Sequence, residues 1–254
     1  MNFAPPASPP LSILMYHQIG IYPRPDAHRA LFCHIDRFRA QLRYLKWAGF
    51  DVINLTEARK RLFEGAAFDR RSVVITVDDG YDDFREFAWP ALQEEGLSAT
   101  VYLVTSLLGK NADWLTDWPN KPRLMTAQAV RTLRQEGCDF GSHAVSHPRL
   151  SRLDALHQRA EIFDSKKSLE DLLGEEVPHF CYPYGDYSLR ARDLVNEAGY
   201  RTATTCIRGA GNFSDNPFEL TRKAISYGDN LIGFAWKLHA KHARKGQGPQ
   251  PDQA

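Results

Sequence analysis

The sequence predicts a single-domain α/β protein built as a parallel barrel. Short apolar segments of strand composition alternate with helical segments from residue 11 almost to the end of the 254-residue chain. Seven or eight such units follow one another without a break in composition, which favours one continuous parallel sheet. That number of units fits a closed or nearly closed barrel better than an open sheet. In such barrels, functional side chains gather where the strands end and the helices have yet to begin.

The first half of the domain alternates strands with amphipathic helices. The segment IDRFRAQLRYLKWAGF is predicted to be a helix because Ile35, Phe38, Leu42 and Leu45 fall on one face. Thr56 is expected to cap the next helix, EARKRLFEG, and a third helix is expected around DFREFAWPALQEEG. The predicted strands are rich in β-branched and other apolar residues, and they read LSILMYH, DVINL, SVVITV and SATVYLVT.

The second half continues the same alternation. Thr126 is expected to cap the helix AQAVRTLRQEG, which ends at Gly137 as helices often do. A long helix is predicted from about Asp154 to Leu173, followed by SLRARDLVNEAG and a terminal amphipathic helix, LIGFAWKLHAKHARK. The strands of this half read CDFGSH, HFCYPYG, RTATTC and, as a last short strand, ELTRKAIS.

The barrel domain is predicted to occupy residues 11–245. Residues 1–10 contain four prolines and are expected to form an extended lead-in, and residues 246–254 have the composition of a disordered tail. The amino-terminal stretch lacks the basic region and continuous apolar run of a secretory signal. No segment reaches the length of a transmembrane helix. We therefore expect a cytoplasmic protein.

Charge and cysteine content argue against several kinds of partner. A formal net charge of +1 disfavours nucleic acid as the main partner, because nucleic-acid binding requires a concentrated basic face. The basic run KLHAKHARK is predicted to be a solvated helix face, with weak association with anionic membrane surfaces as the alternative. The four cysteines lie far apart and form no C-x-x-C motif, so reduced thiols are expected rather than disulfides.

Polar side chains that can bind metal or transfer protons follow several predicted strands. Asp78 and Asp79 close the third strand, His143 and His147 follow the fifth, and His17 closes the first. Asp-Asp-Gly taken alone is equally well explained as a turn, and His-x-x-x-His on a polar loop is more often a solvated pair. Since both groups end strands of one predicted sheet, a metal site becomes the favoured interpretation.

The residue types suit metal-assisted hydrolysis. Two imidazoles and a carboxylate are a common set for zinc or a similar divalent ion, and they leave positions open for water and substrate. A second, metal-free carboxylate can take a proton from the water, so the two aspartates offer one ligand and one base. Hydrolysis of an amide also needs an acid for the leaving nitrogen. His17 is the candidate acid, and its alternative role is that of a core histidine in the first strand.

Three segments carry a resemblance to a known family. TVDDGYDD, GSHAVSHPRL and YPYGDYS resemble the first three signature motifs of the polysaccharide deacetylases, carbohydrate esterase family 4. The resemblance covers roughly residues 11–225 and has the three motifs in the family's order. It implies a distorted (β/α)7-type barrel and an enzyme that removes N- or O-acetyl groups from sugar polymers.

The resemblance also assigns roles to individual positions. By motif position, Asp78 would be the general base, and Tyr184, which follows Pro183, would offer a backbone N–H to the oxyanion within a substrate-binding segment. One divalent ion, zinc, would be held by the remaining motif residues, Asp79, His143 and His147.

Two features set this chain apart from many family members. Many members carry an arginine, which holds the base aspartate, at the position of Cys181. The segment ILMYHQIG resembles a circularly permuted sub-branch, the poly-N-acetylglucosamine deacetylases, in which the acid histidine comes first; this supports His17. His239, near the carboxyl terminus, is expected to be a surface residue rather than a late catalytic acid.

The predicted function is metal-dependent removal of an N-acetyl group from an amino sugar in a polysaccharide or glycolipid. A first alternative is a deformylase or deacylase of a lipid-linked or nucleotide-linked sugar, which a cytoplasmic location would favour. A second is an inactive carbohydrate-binding member, which the missing arginine would favour. Trp114 and Trp118, in a polar insertion, are equally well explained as sugar-stacking residues or as loop anchors.

Overall fold

The computed structural model describes residues 10–252, apart from the Phe213 side chain. The predicted lead-in therefore lies almost wholly outside the described residues. Ten strands are found within them: β1 (Leu11–Tyr16), β2 (Gln18–Gly20), β3 (Phe32–His34), β4 (Asp51–Val52), β5 (Ser72–Val77), β6 (Thr100–Leu103), β7 (Asp139–Ser142), β8 (His179–Cys181), β9 (Thr202–Arg208) and β10 (Leu220–Ala224).

Seven α-helices lie within the same residues: α1 (Ile35–Trp47), α2 (Leu55–Phe63), α3 (Trp89–Glu95), α4 (Ala127–Gln135), α5 (Ala155–Leu173), α6 (Leu189–Glu197) and α7 (Leu231–His239). A π-helical turn precedes α3 at Phe84–Ala88. Within the described part of the chain, no helix is long and apolar enough to cross a membrane.

The main sheet closes into a barrel. Its strand order is β1-β10-β9-β8-β7-β6-β5, and β1 also pairs with β5, so seven strands form a ring. Every pairing in the ring is parallel, and β1 runs in register with β5 from Leu11↔Ser72 to Tyr16↔Val77. The two-residue strand β4 pairs in parallel with the first two residues of β5, Ser72 and Val73, and β2 and β3 pair separately. The predicted distorted (β/α)7-type barrel is thereby confirmed.

The helices cover the barrel through the apolar faces that the sequence indicates. The four apolar side chains predicted to share one face of α1 are all buried, and Leu42 and Leu45 have no exposed surface. Burial of one such side chain stabilises the folded state by roughly 1.5–3 kcal/mol. A second apolar cluster fills the barrel interior opposite the strand ends that carry the polar residues, and it includes Leu11, Ile13, Val74, Tyr102 and Leu220. A packed interior leaves the open rim as the place for chemistry.

One local expectation, the cap of α2, needs correction. The cap of α2 is Asn54, whose side chain accepts from the Glu57 backbone N–H at 2.8 Å, and Thr56 lies inside the first turn. Within the predicted tail, the Gln250 N–H donates to the Tyr187 carbonyl at 2.7 Å, and the disorder of this tail stays a prediction. The other predicted cap is confirmed, since the Thr126 hydroxyl accepts from the Ala129 N–H.

Candidate active site

The predicted site residues meet at the rim formed by the carboxyl ends of β1, β5, β7 and β8. All of them except Pro183 line one small cavity: His17, Asp78, Asp79, His143, His147 and Tyr184. Pro183 is buried and lines none of the cavities found around this rim in the described residues. The substrate-binding role of Pro183 stays a prediction.

Three donor atoms converge on one point of this cavity. The Asp79 Oδ1 atom lies 3.4 Å from His143 Nε2 and 3.3 Å from His147 Nε2. All three side chains are buried, and their donor atoms lie within 4.8 Å of one another. Two imidazole nitrogens and one carboxylate oxygen are a donor set that suits zinc and related divalent ions. The residues therefore fit the metal that the motifs imply.

Hydrogen bonding prepares His143 for this role. Its Nδ1 atom lies 2.7 Å from the Cys181 carbonyl oxygen, which can only accept, so Nδ1 carries the proton. Nε2 is consequently the nitrogen that faces Asp79 and could bind a metal. Such an outer hydrogen bond fixes the tautomer and orientation of a metal-binding histidine.

The loop that follows β7 is held in a strained conformation. Ala144 and His147 have positive φ angles of 65° and 64°, which are uncommon for residues with a side chain. Glu161, from α5, holds this loop because its carboxylate accepts from the N–H groups of Val145 and Ser146 at 2.8 and 2.9 Å. Strain of this kind persists only where the surroundings over-determine it, and it is common at functional sites.

Glycine is required where the chain leaves β5. Asp79 and Gly80 both have a φ of +74°, so the chain turns sharply after Asp78. A Cβ atom at Gly80 would lie 2.6 Å from a methyl carbon of Leu103. The turn separates the two carboxylates: Asp79 faces the histidines, while Asp78 faces the barrel axis and β10.

Asp78 is held by an arginine that the motifs do not include. Arg222, from β10, binds it in a bidentate pair, with Nη1–Oδ1 at 2.6 Å and Nη2–Oδ2 at 2.7 Å. Both side chains are almost fully buried. Arg222 also donates to the Thr205 carbonyl and to the Thr76 hydroxyl, so its orientation is fixed. The guanidinium lies 3.2 Å from the sulfur of Cys181, beside the position at which the resemblance led us to expect an arginine.

The sequence analysis missed Arg222, although one signal in the sequence could have revealed it. The predicted strand ELTRKAIS places two adjacent cations in a short barrel strand, and neighbouring strand residues point to opposite faces. One of the two therefore had to enter the barrel, where a buried charge requires a partner. Lys223 takes the other face, and its ammonium donates to the Lys237 carbonyl at 2.6 Å.

The ion pair sets the protonation state of Asp78. Burial acts to raise the pKa of the carboxyl group, but the charge and hydrogen bonds of Arg222 outweigh burial and lower the pKa below its usual value. Asp78 is therefore ionised at neutral pH. Among the described residues, a second donor set of Asp78, His143 and Cys181 exists, but its carboxylate is already bound by Arg222.

His17 and Tyr184 complete the cavity. The His17 Nε2 atom lies 4.0 Å from Asp78 Oδ2, and its side chain is 15% exposed. Tyr184 has a φ of +59°, and no hydrogen bond found among the described residues uses its backbone N–H. His239 is exposed at the end of α7, where it contacts the Tyr44 hydroxyl, as expected for a surface residue.

The two insertion tryptophans have different positions. Trp114 stacks on the His147 ring with centroids 4.3 Å apart and belongs to the cavity wall. Trp118 stacks on Phe32 with centroids 5.7 Å apart, away from the donor atoms. Trp118 thus anchors its loop, whereas Trp114 covers one face of a predicted metal ligand.

A closed parallel seven-stranded barrel with these side chains at its rim is the arrangement that the resemblance to the polysaccharide deacetylases implies. The family model for polysaccharide deacetylases matches residues 65–203, which is more than half of the chain. The protein belongs to the polysaccharide deacetylase family. The match contains the strand ends that carry Asp78, His143 and Tyr184, while His17 and Arg222 lie outside it.

Individual relatives agree with this family membership. YxkH of Bacillus subtilis (strain 168), named as a polysaccharide deacetylase, is 26% identical over 88% of this chain and 74% of its own length. The poly-beta-1,6-N-acetyl-D-glucosamine N-deacetylase of Staphylococcus aureus (strain MRSA252) is 24% identical over 75% of this chain and 66% of its own length. The chain thus spans about two thirds of the staphylococcal protein.

Solved structures share the fold. The deacetylase PplD of Streptococcus pyogenes, solved in complex with acetate, has a TM-score of 0.80 at 24% identity and covers 92% of this chain and 100% of its own. IcaB from Ammonifex degensii has a TM-score of 0.75 at 19% identity and covers 91% of this chain and 98% of its own.

Replacing His147 with alanine is expected to abolish stoichiometric metal binding. The change removes one of three converging donors, and Asp79 and His143 alone make a weak two-donor site. Elemental analysis after dialysis against zinc measures the effect, and the exposed His157 on α5 provides a matched control, His157→Ala. Equal metal content in wild type and His147→Ala would contradict the ligand assignment.

Proposed function

We propose that the protein is a metal-dependent deacetylase that removes an N-acetyl group from an amino sugar in a polysaccharide or glycolipid. The observation that carries the proposal is the separation of two adjacent carboxylates into different roles. Asp79 faces two histidines in a metal-type donor set, and Asp78 is kept ionised and metal-free by Arg222. Hydrolysis of an amide by activated water needs a metal site and, next to it, an ionised carboxylate that can accept a proton from the water.

Zinc is the metal we propose for the site, because the two-histidine, one-carboxylate set with an open side is typical of hydrolytic zinc centres. When bound, such an ion lowers the pKa of coordinated water and polarises the acetamido carbonyl. Asp79, His143 and His147 would hold it, and His143 would do so through Nε2, since its Nδ1 proton is used by Cys181.

The remaining residues divide the proton transfers. Asp78, ionised and next to the donor set, accepts the proton of the attacking water at a carboxylate oxygen. The backbone N–H of Tyr184 donates to the developing oxyanion. His17, whose Nε2 atom lies 4.0 Å from Asp78 Oδ2 in the same cavity, gives a proton to the nitrogen of the leaving amino sugar.

The alternatives lose part of their support. The missing arginine at the position of Cys181 favours an inactive carbohydrate-binding member, but Arg222 supplies a guanidinium beside Cys181 from another strand. The names of two relatives specify N-acetylglucosamine deacetylases, which favours acetyl over formyl as the group removed. A cytoplasmic location and weak membrane-surface association stay predictions.

A direct test measures acetate released from β-linked N-acetylglucosamine oligomers by the zinc-loaded protein. Release that stops on chelation and returns with zinc is the expected result. Formate released from an N-formyl sugar, without acetate from the oligomers, would instead identify a deformylase.

His17→Ala is expected to lose activity on amides while retaining much more activity on activated esters. An amine must be protonated as it leaves, or the tetrahedral intermediate returns to the amide, whereas an activated phenolate leaves without a proton. Loss of a general acid costs about 10²–10⁴-fold in rate. Parallel assays of the acetylated oligomer and of a nitrophenyl acetate measure the two effects, with metal content confirmed for the variant.

Equal losses on the amide and on the ester would contradict the acid role and leave His17 as a structural residue. His157→Ala serves as the control for a histidine outside the cavity.

A further inference from the structure

A second cleft adjoins the active-site cavity on the side of Tyr184. The two share Tyr184 and Cys206, so they form one continuous surface. The cleft has a volume of about 380 Å³, and the charged side chains that line it are Arg149, Arg152 and Asp186. Two guanidinium groups against one carboxylate give this region a positive charge, in a chain whose formal net charge is +1.

The positive charge is only partly compensated. Asp186 uses Oδ1 to accept from the Ser151 N–H at 2.9 Å, and its Oδ2 atom lies 3.9 Å from Arg149. Within residues 10–252, Arg152 has no ion pair with a carboxylate, and its side chain is exposed. Arg149 and Arg152 therefore retain donors for a ligand.

The backbone that carries the two arginines is rigid. Residues Leu150–Arg152 form a 3₁₀ turn directly after the metal-ligand loop, and Leu150 is fully buried. The amide of Gln158, which has no exposed surface, donates to the carbonyls of Leu150 and Leu153 at 3.0 and 3.1 Å. A fixed turn reduces the entropy lost when a flexible ligand binds.

Two short contacts link this turn to the reacting centre. The centroid of the Tyr184 ring lies 4.5 Å from that of the His147 ring, and the Arg149 guanidinium lies 4.3 Å from the Tyr184 centroid. Tyr184 is 43% exposed, so it offers a ring against which a sugar can pack. The shared surface thus offers an oligosaccharide whose acetamido group reaches the metal ligands a path for its neighbouring residue towards the arginines.

We propose that Arg149 and Arg152 form a subsite for an anionic group, a carboxylate or a phosphate, on a sugar next to the residue that loses its acetyl group. This inference rests on the proposed deacetylase function and specifies its substrate class as an acidic glycan. Guanidinium groups bind both kinds of anion through paired, charge-assisted hydrogen bonds.

The test compares kcat/KM for three zinc-dependent reactions that release acetate. The first substrate is a neutral N-acetylglucosamine oligomer. The second is an oligomer in which N-acetylglucosamine alternates with glucuronate. The third is an N-acetylglucosamine oligomer that carries a single phosphate next to the acetylated residue. We expect the wild type to prefer one or both anionic oligomers at low salt. In Arg149→Gln/Arg152→Gln, the ratio of anionic to neutral kcat/KM should fall about tenfold or more.

Matched variants separate a local subsite from a general effect of charge. Arg43→Gln/Arg131→Gln removes the same charge from exposed positions on α1 and α4 and should leave the ratio unchanged. Because Arg149 also contacts Tyr184, the single variant Arg152→Gln must lower the ratio in the same direction. The carboxylate and phosphate arms show which anion the subsite accepts.

A wild-type preference for the neutral oligomer, or a ratio that the Arg149 and Arg152 changes leave untouched, would overturn the proposal. Acetate released only from the neutral oligomer would keep the deacetylase function and remove the acidic substrate class. If no substrate released acetate, the deacetylase proposal would fail. Calorimetric titration with the glucuronate oligomer would then decide the subsite: weaker binding in the double variant supports it, and no binding by wild type overturns it.

Discussion

Asp78→Asn is expected to keep bound metal and lose activity by two to four orders of magnitude. The asparagine side chain would occupy nearly the same space but could not accept a proton from water, and general-base catalysis contributes about 10²–10⁴-fold. Because Asp78 lies outside the donor set, the three ligand side chains stay in place. The measurements are zinc content, which should match wild type, and kcat for acetate release.

Two neighbouring aspartates supply the controls. Asp82 is partly exposed and pairs with Arg85 at 3.0 Å, and Asp83 accepts from the Tyr22 hydroxyl. Neither lines the cavity of the donor set. Asp82→Asn should therefore keep most of the activity. If Asp78→Asn were active and Asp82→Asn or Asp83→Asn inactive, the base would lie elsewhere in this loop.

The barrel and the donor set follow from local sequence patterns. β5 reads as a buried strand because its residues are β-branched and apolar, and the charge begins at Asp78, where the strand ends. Parallel strands bring their carboxyl ends to one rim, so one aspartate of the Asp78–Asp79 pair and the two histidines are expected to meet there, and the family resemblance assigns Asp79 as that aspartate. Strand periodicity and motif spacing were sufficient for this part of the site.

The features that sequence reasoning missed depend on distant contacts. Arg222 pairs with Asp78 across 144 positions of the chain, so no local pattern joins them. The carboxyl-terminal segment has a composition typical of disorder, yet the Gln250 backbone bonds to that of Tyr187, and the Lys245 backbone bonds to that of Arg208 in β9. Asn54 and Thr56 are both good helix-capping residues, and only the position of the first turn decides between them.

Arg222→Met is expected to destabilise the fold by about 3–5 kcal/mol at neutral pH. Methionine fills much of the same volume, but it leaves the buried Asp78 carboxylate without its cation, and removal of one partner of a buried pair has a cost of this size. Denaturant unfolding of the metal-free protein measures the effect. Activity should fall as well, since the base would lose the group that orients it.

The destabilisation should depend on pH in a defined direction. In the wild type, the pKa of Asp78 is lowered, so its contribution to stability is present above the unfolded-state pKa of about 3.9 and is lost only in stronger acid. Burial raises the pKa of Asp78, and His17 and His143 lower it by less than Arg222 does. Without Arg222, we therefore expect burial to outweigh the two histidines and the pKa of Asp78 to be raised. The variant then gains stability relative to wild type as pH falls through that raised value.

A double variant distinguishes the lost ion pair from lost packing. Asp78→Asn/Arg222→Met removes both charges and should be more stable than Arg222→Met alone, because no unpaired carboxylate remains inside the barrel. The difference in free energy of unfolding between the double variant and wild type should also depend much less on pH than the difference for Arg222→Met. The contrary outcome is a double variant that is less stable than Arg222→Met by the same free energy of unfolding that Asp78→Asn alone removes from the wild type. In that case the two side chains would contribute to stability independently. Arg222 would then act as a packing residue of β10 rather than as the cation that keeps Asp78 ionised.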